Sequence, residues 1–120
     1  MAFALFTDLD GTLIPPELVR SRPEVPPPLE RALRRVTELI PVAVVTTKDC
    51  DFASRVVPYA VAYACVNGIE VRAGRYIAVA RDVKFEAVEE AYKAALGLDA
   101  YVEAKRVWGG KMAGFTVDWR

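Results

Sequence analysis

The chain has 120 residues, 53% of them hydrophobic, with 16 basic and 16 acidic side chains and a formal net charge of zero. That suffices for one packed domain, or one with a small appendage, and leaves no electrostatic footprint for nucleic acid or an anionic membrane. Histidine is absent, which excludes Ser-His-Asp and Cys-His mechanisms and leaves carboxylates, hydroxyls, amines or metal to carry any catalysis.

The first stretch, Ala2 to Leu9, is nearly continuously apolar and ends in acidic residues, the pattern of a strand buried on both faces in a parallel sheet. It is too short for a signal peptide, and no later run could span a bilayer, so a cytoplasmic protein is expected. Prolines at 15, 16, 23 and 26–28 then punctuate a long loop. Pro28 suits a first helical turn, and Leu29, Leu33, Val36 and Leu39 form the apolar stripe of an amphipathic helix that Pro41 ends. Val42–Val45 reads as a second buried strand closing on Thr46-Thr47-Lys48, and 49–57 as a short helix stopped by Pro58. A third apolar run, 60–66, ends at Asn67-Gly68. This alternation predicts an α/β fold with a Rossmann-like parallel sheet and right-handed crossovers. Ligands bind such sheets at the carboxyl ends of the strands, where Asp8 to Thr12, Thr46 to Lys48 and Asn67-Gly68 would converge.

Beyond residue 68 the pattern changes. Residues 69–72 and 76–80 flank Ala73-Gly74-Arg75 as a β-hairpin. Asp82 is placed to cap a helix over 83–96, ended by Gly97. Residues 101–107 and 112–119 read as two more strands, the second alternating apolar and polar. Cys50 and Cys65 lack zinc-site spacing and read as small buried hydrophobes in a reducing compartment. Glutamine is absent and Asn67 is the sole asparagine, an amide-poor composition of the thermophilic kind.

Asp8-Leu9-Asp10-Gly11-Thr12-Leu13 carries the most chemistry. Two carboxylates at i and i+2 after a buried strand need a reason to be crowded, and a bound Mg²⁺ supplies one by offsetting their repulsion. Gly11 permits a sharp turn and Thr12 can fix the loop by bonding back to it. An ordinary Asp-Gly turn is the plain alternative.

The segment resembles the opening motif of the haloacid dehalogenase (HAD) superfamily, Asp-x-Asp-x-Thr after the first strand. That resemblance implies a Mg²⁺-dependent phosphatase in which Asp8 attacks phosphorus to form an aspartyl-phosphate. Asp10 would protonate the leaving alcohol and later activate water. The Asp8 carboxylate and the Asp10 backbone carbonyl would hold the metal. Thr46 matches the second motif, a phosphoryl-binding Thr, with Thr47, Lys48 and Gly11 beside it. Thr46-Thr47-Lys48 and Asn67-Gly68 resemble segments of mannosyl-3-phosphoglycerate phosphatases. Residues 101–105 and 115–120 resemble cap strands of trehalose-6-phosphate phosphatases, with Asp118 standing where those have His.

The resemblance implies a front-half core over 1–81 and a partial cap over 82–120, with Asn67, Glu103, Lys105 and Arg120 reading the substrate, a sugar phosphate or related small phosphomonoester. Glu103 and Lys105 also read as a cross-pair on a solvated sheet. The family's third motif, a Lys or Arg, and its fourth, further acidic ligands, are unmatched: Lys84, Lys105, Lys111, Asp99 and Asp118 lie in the cap-like region. The strand Ala2 to Asp8 would then be an exposed apolar edge. Self-association or a complementary second chain along it is the expected partner. A phosphoglycolate-type phosphatase and a non-catalytic assembly module are the alternatives.

Overall fold

A computed structural model describes residues 3–119. A strand β1 (Leu5–Thr7) leads through a short 3-10 turn (Pro16–Leu18) to helix α1 (Pro27–Thr37) and strand β2 (Val42–Val45). Helix α2 (Cys50–Val56) and strand β3 (Ala62–Cys65) follow, then the hairpin β4 (Glu70–Ala73) and β5 (Tyr76–Val79). Helix α3 (Phe85–Ala95) and the strands β6 (Tyr101–Arg106) and β7 (Met112–Asp118) complete the order.

Strands β1 to β5 form one sheet in chain order. The pairs β1–β2 and β2–β3 are parallel, and β3–β4 and β4–β5 antiparallel. Both parallel crossovers step the same way along the sheet. Right-handed connections that step one way place their helices on one face. That face is packed: Leu33 of α1 and Cys50 and Ala53 of α2 join Val44, Tyr63 and Cys65 in the main hydrophobic cluster.

The opposite face is bare. Phe6, Ala43, Ala62, Ala73 and Tyr76 stand in register across all five strands, followed by Val45, Ala64, Val71 and Ala78 across four. Phe6 is 70% exposed, Tyr76 74% and Val45 47%. The first strand is therefore not buried on both faces as its apolarity suggested. It is the open apolar edge expected in this chain, three residues long, with Leu5 and Phe6 exposed and Phe3 exposed just before it. Leu9, by contrast, is fully buried beyond the strand, in the turn.

Pro27 and Pro28 occupy the first turn of α1, where the lost N–H donors cost nothing. The helix stops at Thr37, so Leu39 falls outside the stripe and is exposed. Asp82 does not cap α3. That helix starts after Lys84, which makes no side-chain cap bond, and the Phe85 N–H donates to the Val83 carbonyl in a tight turn.

The cysteines are also corrected. Both are fully buried, but they are bonded to each other, with Cα atoms 5.4 Å apart.

The antiparallel pair β6–β7 is a separate sheet. Its apolar side packs on α3, where the Tyr92 and Phe115 rings meet at 5.9 Å between centroids. It seats on the larger sheet through Val107 and Ala113, which join the main cluster. A Cβ at Gly114 would lie 3.4 Å from Cγ1 of Val66, so the two sheets approach closely there. On the packed side, Arg72 bonds the fully buried Glu70 and Asp51 of α2, and stacks over Trp108 of the β6–β7 turn.

Candidate active site

The chain turns sharply where β1 ends. The Leu9 carbonyl accepts from the N–H groups of Thr12, Leu13 and Ile14, and Gly11 takes φ 80°, a conformation that glycine adopts without steric cost. Burial of Leu9, Leu13 and Ile14 anchors this loop, and the alternation along it throws Asp8 and Asp10 outward. Asp8 is exposed, and its Oδ2 accepts from the Thr12 hydroxyl at 3.2 Å. Asp10 is half-buried, and its Oδ1 is a buried atom without a hydrogen-bond partner.

The loop after β2 supplies the facing cation. Thr46 is buried, and its Oγ1 accepts from the Lys48 N–H at 3.0 Å. Lys48, 7% exposed, reaches Oδ2 of Asp10 at 3.4 Å and makes a short bond to Oε2 of Glu103 on β6. One ammonium thus ties the β1 turn, the β2 loop and the smaller sheet together.

That smaller sheet forms the roof. Tyr101, Glu103 and Lys105 pair in register with Asp118, Thr116 and Gly114, so their side chains share one face. Tyr101, Glu103, Lys105, Thr116 and Asp118 line a cavity of about 520 Å³ with Asp10, Gly11, Thr47 and Lys48. Arg20 closes its side, paired with Asp118 and 4.7 Å over the Tyr101 ring. The polar face of β6–β7 is therefore a cavity roof rather than a solvated surface. Glu103 pairs across the cavity with Lys48, while Lys105 is buried with no hydrogen bond or ion pair among the described residues.

The electrostatics follow from this crowding. Burial pushes the Asp10 carboxyl above its ordinary value, Lys48 pulls it back, and Glu103 and Asp8 push it up further. Burial alone would lower Lys48, but the bond to Glu103, with Asp10 beside it, leaves its ammonium held more tightly than usual. Lys105 is lowered, first by burial and then by repulsion from Lys48, against the pull of Glu103 and Asp10. A carboxyl raised by burial beside a second carboxylate is a group suited to proton transfer.

Of the residues that the sequence singled out, Asp10, Gly11, Thr47, Lys48, Glu103 and Lys105 meet at the cavity. Asp8 does not line the cavity; it stands exposed in the same turn as Asp10, its carboxylate bonded by the Thr12 hydroxyl. Thr46 sits behind Lys48 and does not line the cavity. Asn67 is exposed and donates its N–H to the Thr46 carbonyl at 3.4 Å, so the third strand end supports the site without entering it. Arg120 lies outside the described residues. Arg20 is the addition: one basic residue in a Pro-rich loop gave no periodic or motif signal.

Asp8 and Asp10 fit the front of a Mg²⁺ site, since the exposed Asp8 carboxylate and the Asp10 backbone carbonyl share one sharp turn. They do not fit a whole one. Among the described residues no group of three potential acidic, cysteine or histidine ligands exists, and octahedral Mg²⁺ takes more anchoring than one carboxylate and one carbonyl. No described helix is long and apolar enough to cross a membrane.

No protein-family model and no curated protein sequence matches the chain. Solved structures do. A trehalose-6-phosphate phosphatase related protein superposes with a TM-score of 0.62 at 21% identity, over 82% of this chain and 47% of its own. A HAD subclass IIB sugar phosphatase gives 0.56 at 18% identity, over 84% of this chain and 40% of its own. A HAD superfamily phosphatase from Bacteroides thetaiotaomicron gives 0.54 at 21%, over 92% and 40%. The chain has the fold of the HAD phosphatases and spans less than half the length of these relatives.

Proposed function

We propose that this chain is the front half of a Mg²⁺-dependent phosphatase acting on a sugar phosphate or related small phosphomonoester. The observation that carries the reading is the Asp8–Asp10 turn facing Lys48 beneath a polar roof. The exposed Asp8 carboxylate attacks phosphorus, and the phosphorus–oxygen bond of the leaving alcohol breaks, giving an aspartyl-phosphate. Asp10 gives its proton to the leaving oxygen, then takes one from the water that hydrolyses the intermediate. Lys48 offsets charge gathering at the phosphoryl oxygens, and Thr46 holds Lys48 in place through the backbone. Mg²⁺ would be held by the Asp8 carboxylate and the Asp10 backbone carbonyl, and would supply neutralisation of the crowded negative charge.

A cavity of about 520 Å³ is of small-molecule size. Its roof of Tyr101, Glu103, Lys105 and Thr116 offers the hydroxyl and charged groups that a sugar phosphate would engage. We take 82–120 as a partial cap over a core of 1–81. The missing cation and acidic ligands would come from a complementary polypeptide or a second copy along the open edge of β1. A cytoplasmic, hot-source protein remains our reading, since intracellular disulfides are common in hyperthermophiles.

The test is phosphate release from sugar phosphates with Mg²⁺, by the chain alone and with the product of any adjacent reading frame. Activity lost in Asp8→Asn supports the reading. A complemented complex no more active than that variant refutes it. A second reading, a non-catalytic assembly module, is favoured by the bare sheet face. It predicts a stable oligomer whose melting temperature ignores Mg²⁺.

A further inference from the structure

The Cys50–Cys65 bond lies beside the site without touching the cavity. Cys50 is the first residue of α2, two positions after Lys48, and Cys65 ends β3. The turn after Cys65 holds two non-glycine residues in the left-handed region, Val66 at φ 49° and Asn67 at φ 56°. For a β-branched residue that is an outlier, kept only where the surroundings enforce it. Here it delivers two donors: the Val66 N–H reaches the Lys48 carbonyl at 3.0 Å and the Asn67 N–H the Thr46 carbonyl at 3.4 Å. The disulfide closes the far side of the same junction, joining the residue after the Asp49 helix cap to the residue before the turn.

We propose that the Cys50–Cys65 disulfide is a positioning element of the site, stapling the loop of Thr46 and Lys48 to the turn after β3 so that the Lys48 ammonium stays between Asp10 and Glu103. Reduction by a dithiol breaks the sulfur–sulfur bond, leaves two protein thiols and closes the reductant into its own cyclic disulfide. The loop and turn then keep only their two backbone bonds. Because both cysteines are fully buried, exchange needs a local opening at this junction. The consequence for catalysis rests on the phosphatase reading, whereas the consequence for loop geometry does not.

Amide hydrogen exchange read residue by residue tests it. The oxidised protein is compared with the dithiothreitol-reduced protein and with Cys50→Ala/Cys65→Ala. A fourth sample is oxidised protein in enough urea to match the global stability of the reduced form. The amides of Lys48, Val66 and Asn67 should lose roughly tenfold more protection than those of Val71 and Ala78. The urea-matched sample should show no such focus, and reoxidation should restore protection. Uniform loss across the sheet, or complete unfolding on removal of the bond, would make it a general staple and overturn the proposal. Alkylation of both cysteines without prior reduction would overturn it as well.

Discussion

The two faces of the five-stranded sheet obey different rules. One carries Val42, Val44, Tyr63 and Cys65 beneath two helices and is closed to solvent. The other carries a floor of alanines between Phe6 and Tyr76, and nothing among the described residues covers it. Sequence composition does not distinguish them, since both are apolar. Connection handedness does: two right-handed crossovers stepping one way cover one face only. A contiguous exposed apolar surface of this kind marks an interaction site on a soluble protein. It adjoins the β1 edge, which ends at Thr7, so the uncovered face lies next to the turn that carries Asp8 and Asp10.

The sharpest contrast is expected from the buried charge on the packed face. Arg72→Met leaves the fully buried Glu70 without its cation, which costs about 3–5 kcal/mol in urea unfolding. A cost under about 1 kcal/mol would mean that the Glu70–Arg72 pair does not anchor this face. Next, Ile14→Ala in the core should cost about 2–5 kcal/mol, whereas Phe6→Ala should stay within about 0.5 kcal/mol. Equal costs would break the comparison, because they would show Phe6 covered in solution by another copy.

A smaller effect than either buried-site loss belongs to the cavity roof. Lys105→Met removes a buried cation that has no ion pair among the described residues and should raise stability by about 1 kcal/mol. Because the folded state holds the Lys105 proton less tightly than the unfolded chain, the unfolded state binds more protons between the two values. Native stability therefore gains a rising contribution with pH across that alkaline window, and the variant lacks it. Chemical denaturation at stepped pH reads this difference. A steeper rise in the variant would reverse the assignment.

Much of this was legible in the sequence. The run Val42–Val45 gave its strand residue for residue, because an apolar segment between Pro41 and Thr46 leaves no other register, although Val45 at its end faces the bare side. The Asp8–Thr12 turn showed itself through paired carboxylates with a glycine. The β6–β7 polar face was visible as alternation, but alternation cannot say whether a polar face meets water or a cavity. The Cys50–Cys65 bond had no signal, since a separation of 15 residues fits many arrangements. Arg20 was equally silent, its role arising only when a loop folds beside Tyr101 and Asp118. The first strand is the exposed apolar edge expected of it in this chain, while its apolarity alone pointed to burial on both faces, because apolarity reports what a strand would tolerate, not which neighbours it has.

The central claim is that Asp8 is a phosphoryl-accepting nucleophile, and beryllofluoride tests it directly by mimicking a phosphoryl group on a carboxylate. Fluorine NMR of the chain complemented with the product of the adjacent reading frame, with beryllofluoride and saturating Mg²⁺, should show a bound resonance that disappears in Asp8→Asn. A resonance unchanged by Asp8→Asn, or none at any Mg²⁺ concentration, would contradict it.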